Sequence, residues 1–166
     1  IARTDAVQDF EAWNTRDYAR PYADPKSGML PPKVARIAVN IALYYTSFWQ
    51  VIRLSRRARP ESPSDAGQIL VTPGTASMTG PKVLLDPFCG MGTILAEALV
   101  TKWNVIGSDQ SQEVIEKARK NIDWLKTVYP QVSQQSCDFF TQEATHIGIH
   151  VKPESIDAIV TEPFMG

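Results

Sequence analysis

The stretch Val83-Leu84-Leu85-Asp86-Pro87-Phe88-Cys89-Gly90-Met91-Gly92-Thr93 decides how the chain is read. A short apolar run stops at Asp-Pro, two glycines follow, and Thr93 to Val100 resumes with one apolar helical face. Without a Cβ, glycine lets the backbone turn tightly and a ligand approach it closely. The helix opening at Thr93 offers N–H groups that have no intrahelical partner, a natural seat for an anion.

Downstream the same grammar repeats. Asn104 to Ser108 reads as a second strand and meets Asp109. Ser111 is a good N-cap, with Glu113 and Glu116 placed where carboxylates favour the positive end of the helix dipole. That helix runs through Ala118, Ile122 and Leu125 and ends before Pro130, with Val132 to Ser136 a weak third strand and Ile156 to Val160 a fourth. Strands alternating with helices at this spacing imply an α/β, Rossmann-like fold with a parallel-sheet core. Upstream, the stretch to about Met29 mixes Phe10, Trp13, Tyr18 and Tyr22 with charge and reads as irregular or a short hairpin. Pro31-Pro32 then open a helix carrying Val34, Ile37 and Ile41 at helical spacing, reaching at most Ser55. The chain divides into a lead-in at 1–58, a Pro/Ser/Gly/Thr-rich surface loop at 59–80 and the core at 81–166.

Composition bounds the rest. The chain has 166 residues, 43% hydrophobic and 21% charged, which suits a globular domain or part of a larger one. No apolar run approaches the roughly 20 residues that span a bilayer, and Ile1 begins neither with Met nor with a signal-peptide core. The start therefore reads as a cut inside a longer protein. Cys89 and Cys137 fit no zinc spacing or disulfide framework, so no metal is expected and a reducing, cytoplasmic compartment is the default. Through Pro60 there are ten Lys/Arg against five Asp/Glu, and beyond it seven against thirteen. A basic front joined to an acidic back suits a polyanion lying along one side, or is simply two solvated faces. The run Arg53, Arg56, Arg57 and Arg59 is a candidate phosphate contact, and Lys33 a candidate near the cofactor or nucleic acid.

Four segments fall at the carboxyl ends of the four strands, where ligands bind in parallel sheets. S-adenosyl-L-methionine presents an amino-acid end with both charges, a sulfonium, a ribose and an adenine. Asp86 supplies a negative charge for its ammonium, while Phe88, Gly90, Gly92 and Thr93 frame the turn beside it. A dinucleotide's pyrophosphate would be repelled by Asp86, and the third glycine of Gly-x-Gly-x-x-Gly is missing, since Leu95 stands there. Asp109, about twenty positions on, either accepts from the ribose hydroxyls or caps the next helix. Asp138 is placed to accept from the adenine amino group and Phe139 to offer the ring an apolar face, unless the two belong to an ordinary polar loop. At the fourth end, Glu162, the carbonyls around Pro163, and Phe164 supply what amine methylation requires: acceptors that orient an amine and a ring that stacks on its base.

The Arg20-Pro21 pair, the Ser27-Gly28-Met29-Leu30-Pro31-Pro32-Lys33 turn and the Asp86-Pro87-Phe88-Cys89-Gly90-x-Gly92-Thr93 loop resemble the THUMP-associated RNA methylases, a group including the tRNA guanosine-10 N2-methyltransferases. Asp109 and Asp138 match that family's next two cofactor positions. The resemblance implies a class I methyltransferase, truncated after the fourth strand, that uses S-adenosyl-L-methionine to methylate guanine N2 in tRNA. RNA is the expected partner and a membrane is not; an activator subunit is left open. The family usually carries Asp-Pro-Pro-Tyr in its catalytic loop, where this chain has Glu162-Pro163-Phe164-Met165. Adenine N6 methylation of DNA or RNA, and a binding module that has lost its chemistry, therefore stay open as alternatives. The segment alone is expected to be inactive.

Overall fold

In the computed structural model the fold is described for residues 7–23, 29–55 and 82–163, with the side chains of 47–55 left aside. The expected loop at 59–80, the basic run from Arg53 to Arg59 and Phe164 lie outside those descriptions. Helix α1 spans Phe10–Tyr18 and α2 spans Pro32–Ser55. The core then alternates as β1 (Val83–Asp86), α3 (Thr93–Val100), β2 (Asn104–Asp109), α4 (Gln112–Val128), β3 (Cys137–Thr141) and β4 (Ala158–Ile159). All pairings are parallel and the strand order is β3-β2-β1-β4, so the fold is α/β and Rossmann-like.

The strands owe their places to burial. Leu84 and Val105 are fully buried, paired in neighbouring positions of β1 and β2 under α3 and α4. Leu95, Ala98 and Leu99 of α3 and Ile115, Ala118, Ile122 and Leu125 of α4 complete that layer. Gly107 allows it to close: a Cβ there would overlap Leu95 and crowd the Cys89 sulfur. Helix α4 is capped by the Ser111 hydroxyl, which accepts from the Val114 N–H, as the sequence predicts.

Four expectations need correction. The first stretch is not irregular: α1 is a helix whose N-cap, Asp9, accepts from the Ala12 N–H at 2.9 Å. It is held by charge and rings rather than by an apolar stripe. Glu97 of α3, 1% exposed, pairs with Arg16 of α1 at 2.8 Å and Arg36 of α2 at 2.6 Å, and Arg16 stacks on Trp13. The face that α2 buries is also not the expected one. Ala35, Ala38, Val39 and Ala42 turn inward, while Val34, Ile37 and Ile41 point to solvent. Small side chains let α2 approach α3 closely, which the larger residues would prevent.

The third strand lies later than Val132–Ser136. Residues Pro130–Gln134 form a 3₁₀ turn that buries Val132, and β3 starts at Cys137. Proline at the start of a turn and a single apolar residue fit that turn better than a strand. The fourth strand is shorter than expected, although backbone bonds from Asp157 N to Val83 O and Val160 N to Leu85 O continue its pairing.

Candidate functional site

The tips of β1, β2 and β4 converge on the glycine loop. Gly90 and Gly92 have φ of +51° and +83°, left-handed values that most L-residues avoid. Gly92 is the N-cap of α3 and offers no side chain, so the first N–H groups of that helix receive no side-chain cap. Phe88, 46% exposed, projects from the same turn. Thr93 is buried at the head of α3.

Asp86 ends β1 with its carboxylate fully enclosed. Oδ1 accepts from the Phe88 N–H at 3.1 Å and from the Thr161 hydroxyl at 2.7 Å. Burial pushes its pKa up to about 7; the charges of Asp109 and Glu162 add to the rise, and the two hydrogen bonds oppose it. A positive group arriving beside Asp86 would relieve that penalty.

Asp109 ends β2 and braces the loop from the other side. Oδ2 accepts from the Gly90 N–H at 3.2 Å and Oδ1 from the Ser111 N–H at 2.9 Å. Ser111 caps α4, so Asp109 is not spent on that role. A carboxylate has about four acceptor positions, and two here are taken by backbone. The half-buried remainder can accept from a pair of neighbouring hydroxyls.

Asp138 and Phe139 do not join this cluster, because β3 begins later than the sequence suggests. Asp138 lies inside the strand opposite Ile106, three residues short of the position opposite Asp109, or roughly 10 Å along the strand. Phe139 alternates to the α4 side, where Arg119 lies 5.1 Å over its ring and donates to its carbonyl at 2.8 Å. Thr141 and Gln142 occupy the tip instead: Thr141 pairs with Asp109 in register, and the Gln142 N–H donates to the Asp109 carbonyl at 2.9 Å.

Glu162 and Pro163 are exposed just beyond β4. The Thr161–Asp86 bond fixes where they leave the sheet, next to the end of β1. Lys33 is exposed in the first turn of α2. Both thiols are free; burial raises the Cys89 pKa and pushes that of Cys137 up to about 12, so neither is an activated nucleophile.

Thr161 and Asn121 escaped the sequence reading, and Arg20 was singled out there only by family resemblance. Arg20 donates to the Thr93 hydroxyl at 2.8 Å. Asn121 of α4, buried, accepts from the Tyr22 N–H and donates to the carbonyls of Tyr22 and Met91, tying the lead-in to the glycine loop. Thr161 joins β4 to Asp86. Asn121 carried a usable signal, an amide interrupting the apolar face formed by Ala118, Ile122 and Leu125.

The profile of the RMKL-like methyltransferase domain family matches residues 74–166, more than half of the chain. No curated protein matches significantly. Among solved structures, a SAM-dependent methyltransferase from Agrobacterium tumefaciens is 19% identical, with a TM-score of 0.39, over 51% of this chain and 26% of that one. The plantazolicin methyltransferase BpumL in complex with SAH is 23% identical, with a TM-score of 0.32, over 43% and 24%. The tRNA (uracil-54, C5)-methyltransferase of Pyrococcus abyssi, in complex with S-adenosyl-L-homocysteine, is 24% identical, with a TM-score of 0.28, over 40% and 14%. Each match thus spans about a quarter of the neighbour's length or less.

Proposed function

The chain belongs to the RMKL-like methyltransferase domain family, and from that premise we propose that it binds S-adenosyl-L-methionine and serves methylation of an exocyclic amine of a nucleobase in RNA, with guanine N2 of tRNA the favoured target. The observation that carries the reading is the hydrogen bond between Asp86 and Thr161, which sets the segment leaving β4 beside the glycine loop. A group held by Glu162 and Pro163 is thereby brought next to whatever the loop holds.

The residues fit the cofactor part by part. Asp86 faces the ammonium, the uncapped head of α3 and the Gly90/Gly92 turn receive the carboxylate, and Asp109 accepts from the ribose hydroxyls. With Asp138 and Phe139 displaced, Thr141 and Gln142 at the β3 tip take over the adenine end. When bound, the cofactor supplies an electrophilic methyl on a sulfonium. Glu162 and the carbonyl at Pro163 accept from the target amine's hydrogens, aiming the nitrogen lone pair at that methyl. The Glu162 carboxylate would also take up the proton that the amine loses on methylation. Phe164 is assigned the stacking role by its position after Glu162-Pro163.

The test is transfer of labelled methyl by the full-length protein to unmodified tRNA, followed by nucleoside digestion. N2-methylguanosine is expected, and Glu162→Ala should lower turnover by about 100-fold or more while changing cofactor affinity little. Label found only in N6-methyladenine, in DNA or in protein would overturn the assigned target. Cofactor binding without any transfer would identify a binding module.

A further inference from the structure

Arg20 sits where an arginine is electrostatically out of place. Its guanidinium donates through Nη1 to the hydroxyl of Thr93, the first residue of α3, at 2.8 Å. The N-terminal end of a helix carries partial positive charge, so a cation is disfavoured there. Nothing among the described residues neutralises it by direct contact: Arg20 forms no ion pair, and Asp17 and Glu97 act only across space. Glu97 is already engaged by Arg16 and Arg36. The Arg20 Nε is enclosed and has no hydrogen-bond partner. Burial pulls the guanidinium below its ordinary pKa, and the charges of Asp17 and Glu97 offset that only in part.

The segment bearing Arg20 is also held in place. Asn121 bonds both the N–H and the carbonyl of Tyr22, and Lys120 lies over the Tyr22 ring at 5.4 Å. Asn121 reaches the Met91 carbonyl as well, so the Arg20–Tyr22 strand of chain and the glycine loop share one anchor. Two positive ends, the uncapped helix and the fixed guanidinium, therefore converge on one point. An anion placed between them turns a repulsion into two attractions.

We propose that Arg20 is a cofactor-binding residue that pairs with the carboxylate of the methionine moiety, resting on the cofactor reading above. The guanidinium has five N–H donors and spends one on Thr93, leaving donors for a carboxylate. The Thr93 oxygen accepts from Arg20, which leaves its own hydrogen to point at the same carboxylate. The lead-in segment thus contributes a charge to a site otherwise built from the sheet, and binding fastens it to the glycine loop.

The test compares S-adenosylhomocysteine with its decarboxylated analogue by titration calorimetry on the full-length protein. Arg20→Gln should weaken the parent ligand by about tenfold or more and leave the analogue within about twofold, the scale of one charged hydrogen bond. Equal weakening of both ligands, or of neither, would overturn the pairing. Should Arg20→Gln fail to fold, Arg20→Lys carries the same comparison, since it keeps the charge but loses the planar fork; it should weaken only the parent ligand, severalfold. Wild-type protein that binds neither ligand would instead overturn the cofactor reading itself.

Discussion

Asp86 is the residue whose chemistry and stability conflict most directly. Its pKa rises from an unfolded value near 4 to about 7 in the fold, so the folded state holds the proton more tightly. Its ionisation therefore opposes folding: the associated stability is present at low pH and is lost as pH climbs from about 4 through about 7. The full effect is at most about 4 kcal/mol. Asp86→Asn should flatten that part of the pH–stability curve measured by urea denaturation; an unchanged curve would contradict the enclosed carboxylate. The proposed ammonium partner would favour the ionised form, so affinity should fall as pH drops below about 7 in wild type. At this scale the sequence was generous with the loop, because Asp86, Gly90, Gly92 and Asp109 follow from a local pattern that fixes its own geometry. It was silent on the partners of Arg20 and Thr161, which lie 73 and 75 positions away and are joined to them only by the fold.

Among the elements, β1, α3, β2 and α4 were legible because each carries its own period, stop and cap. Elements that depend on their neighbours were not. Helix α1 has no apolar stripe to reveal it and is fastened by Arg16 to a carboxylate on α3. Helix α2 showed its period but not its face, since alanines chosen for close approach look weaker in sequence than the isoleucines left outside. Strand β3 was displaced by the 3₁₀ turn before it, and that slip carried Asp138 and Phe139 away from the site. The three-helix junction makes a sharp prediction. Glu97→Ala leaves two arginines facing each other without a counter-charge, Arg16 itself buried, and should cost about 3–5 kcal/mol in denaturant unfolding. A loss below about 1 kcal/mol would mean the network is solvated and does not hold α1 and α2. On α2, Ala38→Leu should cost about 1–3 kcal/mol by overpacking the contact with α3.

For the whole molecule, a ligand gripped at the tips of several strands couples parts of the chain far apart in sequence. Asp86 and the head of α3 flank the loop after β1, Asp109 ends β2, and Arg20 reaches the head of α3 from the lead-in. Binding should therefore stabilise the fold as a unit: at a ligand concentration 100 times its Kd the gain is about 2.7 kcal/mol. For a domain of this size that corresponds to a rise in melting temperature of roughly 5–10 °C. The most direct measurement is calorimetric titration of the full-length protein with S-adenosylhomocysteine, alongside NADH and the Asp86→Ala variant. One saturable site per chain for S-adenosylhomocysteine, lost in the variant and absent with NADH, is the predicted result. No heat with S-adenosylhomocysteine or S-adenosylmethionine from folded protein, or a site for NADH in their place, would contradict it.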